Sequence, residues 1–233
     1  EAMWAELELC FDWLDAEPEV RVVILAGEGK HFCSGLDLSV FASLQQAAET
    51  MDAARKSEVL RRKILTMQGN LTAIERCRKP VLAAVHSSCI GGAVDMISCC
   101  DMRYCSAQAV FSIKEVDLAM TADVGTLQRM PRIIGDGMLR ELAYTGRDVL
   151  ADEALSLGLV NRTYDDRDSL IAGVEAIAQE IARKSPLAIR GTKEMLLYSR
   201  DHSVADGLNY IATWNAGMLS SDDVMKAVTA SMS

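Results

Sequence analysis

Three carboxylates, Asp95, Glu115 and Asp123, fall among small-residue turns downstream of a Phe32-Cys33-Ser34-Gly35-Leu36-Asp37 loop. Acids in such a setting suit proton transfer at carbon, provided that nearby donors hold the anionic oxygen that develops. Candidate donors are present. Gly35 with Leu36, and Gly91 with Gly92, each end a strand-then-turn unit. From there a backbone N–H can point into a shared cleft rather than into a ladder, and two such donors make an oxyanion hole. Gly92 also stands near the start of a predicted helix, whose dipole adds to the stabilisation of an anionic oxygen.

Each feature has an ordinary structural reading too. A Gly-Gly pair permits a tight turn, Asp95 suits the first turn of a helix for dipole reasons alone, and Asp123 can cap a helix beginning at Thr126. Glu115 follows Lys114 and reads equally as an exposed charge, Asp117 as a solvated or salt-bridged one, and His31 as a structural loop histidine. No GxSxG elbow, GxxxxGK[ST] loop or HExxH helix is present. Serine-hydrolase, P-loop and zincin mechanisms therefore lose their usual sequence support, and proton transfer is the chemistry best supported.

The elements that must position these residues follow from apolar periodicity. Trp4, Leu7, Phe11 and Leu14 mark a helix at the start of the chain, and residues 20–26 form a short β-branched run closed by Gly27 and Gly29. Residues 51–77 carry helical spacing up to Lys79-Pro80. Val81 to Val85 reads as a buried strand, residues 87–92 as a turn, and residues 93–100 as the helix that follows. Short strands are expected at 101–104 and 109–113, an irregular acidic segment at 115–125, and mainly helix from Thr126. Within that part, 151–157 reads as helix, 159–164 as a last strand, and 169–184, 187–199 and 204–219 as three helices. No internal repeat of fixed period is visible, so alternating strands and helices with a helical C-terminal third is the economical arrangement.

Composition sets the bounds. The 233 residues, half of them apolar, suffice to bury a core as one domain with a helical appendage. A net charge of −9 argues against general nucleic-acid binding, which leans on Lys and Arg. The densest basic stretch, Arg55-Lys56 with Arg61-Arg62-Lys63, reads as the solvated face of a helix. Seven cysteines form an odd set without a CxxC pair, which points to buried thiols in a reducing compartment rather than disulfides or zinc. No run of eighteen apolar residues is present to span a membrane. The chain begins at Glu1 inside a helical pattern, so a natural N-terminus, with any targeting segment, is expected upstream; Ser231-Met232-Ser233 is not a peroxisomal address.

Three stretches, residues 32–38 (FCSGLDL), 79–86 (KPVLAAVH) and 89–95 (CIGGAVD), resemble the enoyl-CoA hydratase/isomerase (crotonase) superfamily, and the resemblance covers essentially the whole chain. Residues 114–117 (KEVD), 122–129 (ADVGTLQR) and 197–204 (LYSRDHSV) are most similar to its Δ3,5-Δ2,4-dienoyl-CoA isomerase branch. The resemblance implies an α/β fold: a crotonase-like spiral of repeated ββα units over residues 1–165, and a helical C-terminal trimerisation region over 166–233. It implies that the Leu36 and Gly92 N–H groups bind a thioester oxygen, that Glu115 takes a proton from C2, that Asp123 delivers one to C6, and that Asp95 supports them. Gly35, Leu36, Asp37, Leu38, Ser39, Gly92 and Ala93 are the implied acyl-CoA contacts, with acyl-chain length set partly by the stretch 40–67. No metal or other cofactor is implied, coenzyme A arriving as part of the substrate. The implied assembly is a homotrimer or homohexamer, without nucleic-acid or membrane partners, in mitochondria or peroxisomes.

The departures from the typical hydratase pattern are also informative. Asp95 stands where a hydratase has a second glutamate, Asp123 where it has a small uncharged residue, and Ala93 where a third glycine is common. The extra carboxylate favours isomerisation over the alternatives, an enoyl-CoA hydratase using Glu115 and Asp95 on water, or a non-catalytic RNA-binding relative. Burial and mutual repulsion are expected to raise at least one of the acid pKa values.

Overall fold

Val81–Val85 is buried along its whole length, and its side chains divide by parity between two apolar clusters. Val81, Ala83 and Val85 join the main core, whereas Leu82 and Ala84 pack with Tyr104, Leu170 and Val174. That two-residue alternation is what a strand covered on both faces requires. The computed structural model, which describes residues 2–35, 37 and 51–232, builds the remaining layers around this strand.

In chain order the elements are α1 (Ala2–Ala16), β1 (Val23–Ala26), α2 (Ala53–Arg76), β2 (Val81–Val85), β3 (Ser88–Ile90), α3 (Gly92–Ser98), β4 (Met102–Ser106) and β5 (Val110–Ser112). A 3₁₀ turn (Glu115–Leu118) follows, then α4 (Thr126–Arg129), α5 (Pro131–Ile134), α6 (Asp136–Thr145), β6 (Val149–Leu150), α7 (Ala151–Ser156) and β7 (Arg162–Tyr164). The chain closes with α8 (Arg167–Ala182), α9 (Pro186–Tyr198), α10 (Val204–Met218) and α11 (Asp222–Met232).

One sheet has the order β1-β2-β4-β7, parallel throughout, with Val23 opposite Val81, Leu82 opposite Met102 and Tyr104 opposite Arg162. The other has the order β3-β5-β6, and Cys33 extends it by a parallel bridge to Cys89. The first three turns of the chain thus each add a strand to the first sheet and then pair with or extend the second before a helix returns the chain; in the last turn the order reverses, β6 joining the second sheet antiparallel to β5 before α7 leads to β7 in the first. This is the spiral of ββα units, and the fold is α/β as the resemblance implies. Its turns differ in length because the segments between strands differ, which is why no fixed period is visible in the sequence. β3, read from sequence as part of a turn, is only three residues long, and its ladder to β5 carries no local signature.

Helix α8 lies against all four strands of the first sheet through Leu170 and Val174, so the C-terminal third begins as part of the core. Beneath the sheets, Lys79 is almost fully buried and donates to the carbonyls of Leu14 and Glu17, tying α1 to the start of β2. Lys193 donates to Asp101 Oδ2 at 2.7 Å, and the same oxygen accepts the Val81 N–H at 2.8 Å. All seven cysteines are free thiols; Cys10 is exposed and Cys33 half-buried, and the other five are buried.

Candidate active site

The Gly91–Gly92 turn exists because β3 must reverse direction within two residues to enter α3. Gly91 adopts φ +57°, a left-handed conformation that a side chain disfavours. Its N–H donates to Ser112 O at 2.8 Å, which pins the turn to β5. The Gly92 N–H, at the first position of α3, has no acceptor among the described residues. It belongs to the group of helix-start donors that remain open to a ligand. Trp4 of α1 closes one side: a Cβ on Gly92 would lie 3.6 Å from the indole.

The second strand-then-turn unit reaches the same place. Cys33 N donates to Ser88 O and Ile90 N to Cys33 O, while a Cβ on Gly35 would lie 3.3 Å from Ile90 O. The Cys33–Gly35 segment therefore runs beside the Ile90–Gly92 turn. Asp37 is exposed, and Leu36, Leu38 and Ser39 lie outside the described residues.

Glu115 opens the 3₁₀ turn directly over the glycines; its Oε1 lies 3.4 Å from where a Gly91 Cβ would stand. Lys114 holds the turn from below, donating to Gly146 O at 2.6 Å and pairing with Asp117 and Asp148. Glu115 Oε2 is buried without a hydrogen-bond partner among the described residues. Burial pushes its pKa up to about 6, and the neighbouring charges of Asp95 and Asp123 push the same way. A half-buried carboxyl poised near neutrality, with an open oxygen, has the properties of a general base.

Asp95 is fully buried on α3, and its Oδ1 accepts the Thr126 N–H at 2.6 Å while Oδ2 has no partner among the described residues. Burial raises its pKa against the opposing pull of that hydrogen bond, with the Asp123 charge adding to the rise. Asp95 thus serves the start of α4 from across the fold. Asp123 does not cap α4, whose N-cap is Gly125 with no side-chain bond. Asp123 is exposed, yet desolvation by the surrounding protein raises its pKa against the opposing pull of its own backbone N–H. The three acids therefore converge through α3, the 3₁₀ turn and the Ala122–Thr126 loop, although 28 positions of sequence separate the first from the last. Ala93 lies buried beneath the turn. His31 stands apart, bonded to Ser87 Oγ through Nδ1 at 2.9 Å.

Residues that periodicity does not single out complete the surroundings. Gln68 donates to Asp123 O at 2.6 Å, and Arg129 pairs with Glu75 at 3.2 Å. Their letters in the sequence are ordinary polar residues of a helix, and only the crossing of α2 over the Ala122–Arg129 segment makes them neighbours of the site.

The sequence model of the enoyl-CoA hydratase/isomerase family matches residues 1–231. The chain belongs to the enoyl-CoA hydratase/isomerase family. Among its relatives in that family, a peroxisomal Δ3,5-Δ2,4-dienoyl-CoA isomerase of Arabidopsis thaliana is 56% identical over 94% of this chain and 79% of its own length. The human mitochondrial Δ3,5-Δ2,4-dienoyl-CoA isomerase is 48% identical over 97% of this chain and 70% of its own. Among solved structures of enoyl-CoA hydratase/isomerase relatives, the enoyl-CoA hydratase of Bacillus anthracis superposes with a TM-score of 0.86 at 30% identity, covering 98% of this chain and 84% of that one.

Proposed function

We propose that the chain isomerises 3,5-dienoyl-CoA to 2,4-dienoyl-CoA in fatty-acid β-oxidation. The observation that carries this is Asp123, a third carboxylate on its own loop, close enough for its charge to be felt by Glu115 and Asp95. Relatives at 56% and 48% identity bear the name of that activity. The shift removes a proton at C2 and requires one at C6, beyond comfortable reach of one base. In the proposed scheme Glu115 takes the C2 proton, the electron pair moves through the conjugated chain, and Asp123 protonates C6. Asp95 fixes the start of α4 and adds to the charge that raises Glu115.

A thioester α-proton is too weakly acidic for a carboxylate unless the enolate oxygen is held. The Gly92 and Leu36 N–H groups are assigned that task, each such donor typically contributing about 3–4 kcal/mol. Gly35, Asp37, Leu38, Ser39 and Ala93 are assigned to the acyl-CoA contacts. Substrate and product share one oxidation level, so the scheme draws on carboxylates and amides and calls for no metal, nucleotide or flavin. A homotrimer or homohexamer is supported by apolar side chains exposed on the last helices, among them Leu196, Leu208 and Met225. The proposed compartments are those of the named relatives, peroxisome or mitochondrion.

The test is to offer a synthetic 3,5-dienoyl-CoA and follow the rise of the conjugated 2,4-dienoyl thioester absorbance. A 2-enoyl-CoA run alongside reads hydration as loss of its own absorbance. Rapid hydration with no dienoyl shift would reverse the assignment in favour of the hydratase.

A further inference from the structure

Helix α2 presents Gln68, Thr72 and Glu75 at i, i+4 and i+7, and therefore on one face. All three meet the segment that carries Asp123. Gln68 Nε2 donates to the Asp123 carbonyl at 2.6 Å, and Arg129 Nη2 donates to Thr72 Oγ1 and Glu75 Oε2, both at 3.2 Å. Glu75 also pairs with Arg200 beyond α9. Arg129 in turn fills the space over Gly125, where a Cβ would collide with its Nη1. The loop between the two anchors thus has its carbonyl fastened at Asp123 and its far end clamped under a guanidinium.

The loop so held is itself largely buried: Ala122, Val124, Gly125 and Thr126 are covered, and Asp123 is the exposed residue between them. Arg129 and Glu75 keep only 15% and 17% of their side-chain surface exposed, and a pair so far out of water adds little net stability. Its geometric effect is larger. Within the described residues the hydrogen bond that bears on the Asp123 carboxyl comes from its own backbone N–H, so its position depends on how firmly that backbone is held.

We propose that Gln68 and Arg129 are positioning residues for Asp123, the α2 seam fixing the Ala122–Thr126 loop so that this carboxyl stays at the C6 end of the substrate while Glu115 works at C2. The inference rests on the assignment of Asp123 as the C6 acid. Neither residue touches the reacting atoms. Loosening the seam therefore separates two steps that the intact protein couples: proton removal at C2 continues, and delivery at C6 fails.

Gln68→Glu replaces the donor by an acceptor of the same size beside the Asp123 carbonyl, and Gln68→Met removes the donor alone at a half-buried position that tolerates either. Arg129→Lys keeps the charge and loses the fork. In D2O with a 3,5-dienoyl-CoA, kcat for product is expected to fall about 10- to 100-fold in Q68E, since a misplacement of about 1 Å costs on that order. KM should stay within about twofold, and deuterium should accumulate at C2 of the recovered substrate at close to the wild-type rate. Q68M and R129K should fall between Q68E and wild type. Amide hydrogen exchange of residues 122–126, read without substrate, should quicken about tenfold in Q68E with α3 and β2 unchanged. Wild-type turnover in the variants, or turnover and C2 exchange falling in equal proportion, overturns the inference. A wild-type protein that neither exchanges nor isomerises, while Q68E still loosens the loop, refutes instead the function on which it rests.

Discussion

Glu115→Gln should inactivate the protein and at the same time stabilise it, in a pH window that the structure sets. The carboxyl has an unperturbed pKa of 4.5 and is raised by burial to about 6 in the folded chain. A rise of about 1.5 units corresponds to about 2 kcal/mol against the ionised form, and water at a half-buried site reduces this to about 1 kcal/mol. The sign follows from proton linkage. Below pH 4.5 the group is protonated in both folded and unfolded chains and nothing is lost; as pH rises through about 6 the folded chain must carry the buried charge, and that stability disappears. Glutamine never ionises, so E115Q should match wild type near pH 4.5 and exceed it by about 1 kcal/mol at pH 8, or roughly 2–4 °C in Tm for a chain of this size. Urea denaturation at pH 5 and pH 8, with m-values compared to confirm two-state behaviour, reads the difference. A variant less stable than wild type at pH 8, or one whose gain is the same at both pH values, refutes the reasoning.

Asp95→Asn keeps an oxygen for the Thr126 N–H but removes a charge that raises Glu115; the acid limb of the kcat/KM profile should move below pH 6, and an unmoved limb contradicts the coupling. Gly125→Ala places a Cβ against Arg129 at φ +139°; the strain of roughly 1–3 kcal/mol should appear as a lower Tm, together with a kcat loss larger than any change in KM, and an unaltered Tm would show that the loop has room to shift.

Much of this architecture is legible in the chain because local and global preferences agree there. Residues 81–85 read as a buried strand from composition alone and are one, and the acidic segment with its flanking small residues marks the candidate site. The helix over residues 53–76, expected at 51–77, follows from spacing that no tertiary contact needs to correct. Other features depend on contacts remote in sequence. The two-residue β6 pairs with β5 across the intervening helices, and α11, although amphipathic, leaves Met225, Val228 and Met232 exposed, with no residue of it buried. At the site, the types of Asp95, Glu115 and Asp123 are visible but their ordinary readings are not separable by sequence. Only the fold shows that Thr126, at the start of α4, donates to Asp95 and that Asp123 takes no part in capping that helix. The seam of Gln68, Thr72 and Glu75 is likewise invisible until α2 is laid across the loop.

Division of labour between two acids is tested most directly by comparing Glu115→Gln and Asp123→Asn on a 3,5-dienoyl-CoA in D2O, with deuterium located by mass spectrometry. Glu115→Gln should lose both C2 exchange and product formation, by about 10²–10⁴-fold. Asp123→Asn should lose product formation to a similar extent while recovered substrate still gains deuterium at C2. Product formed by D123N at the wild-type rate, with label at C6, would contradict the assignment of the third carboxylate and with it the proposed reaction.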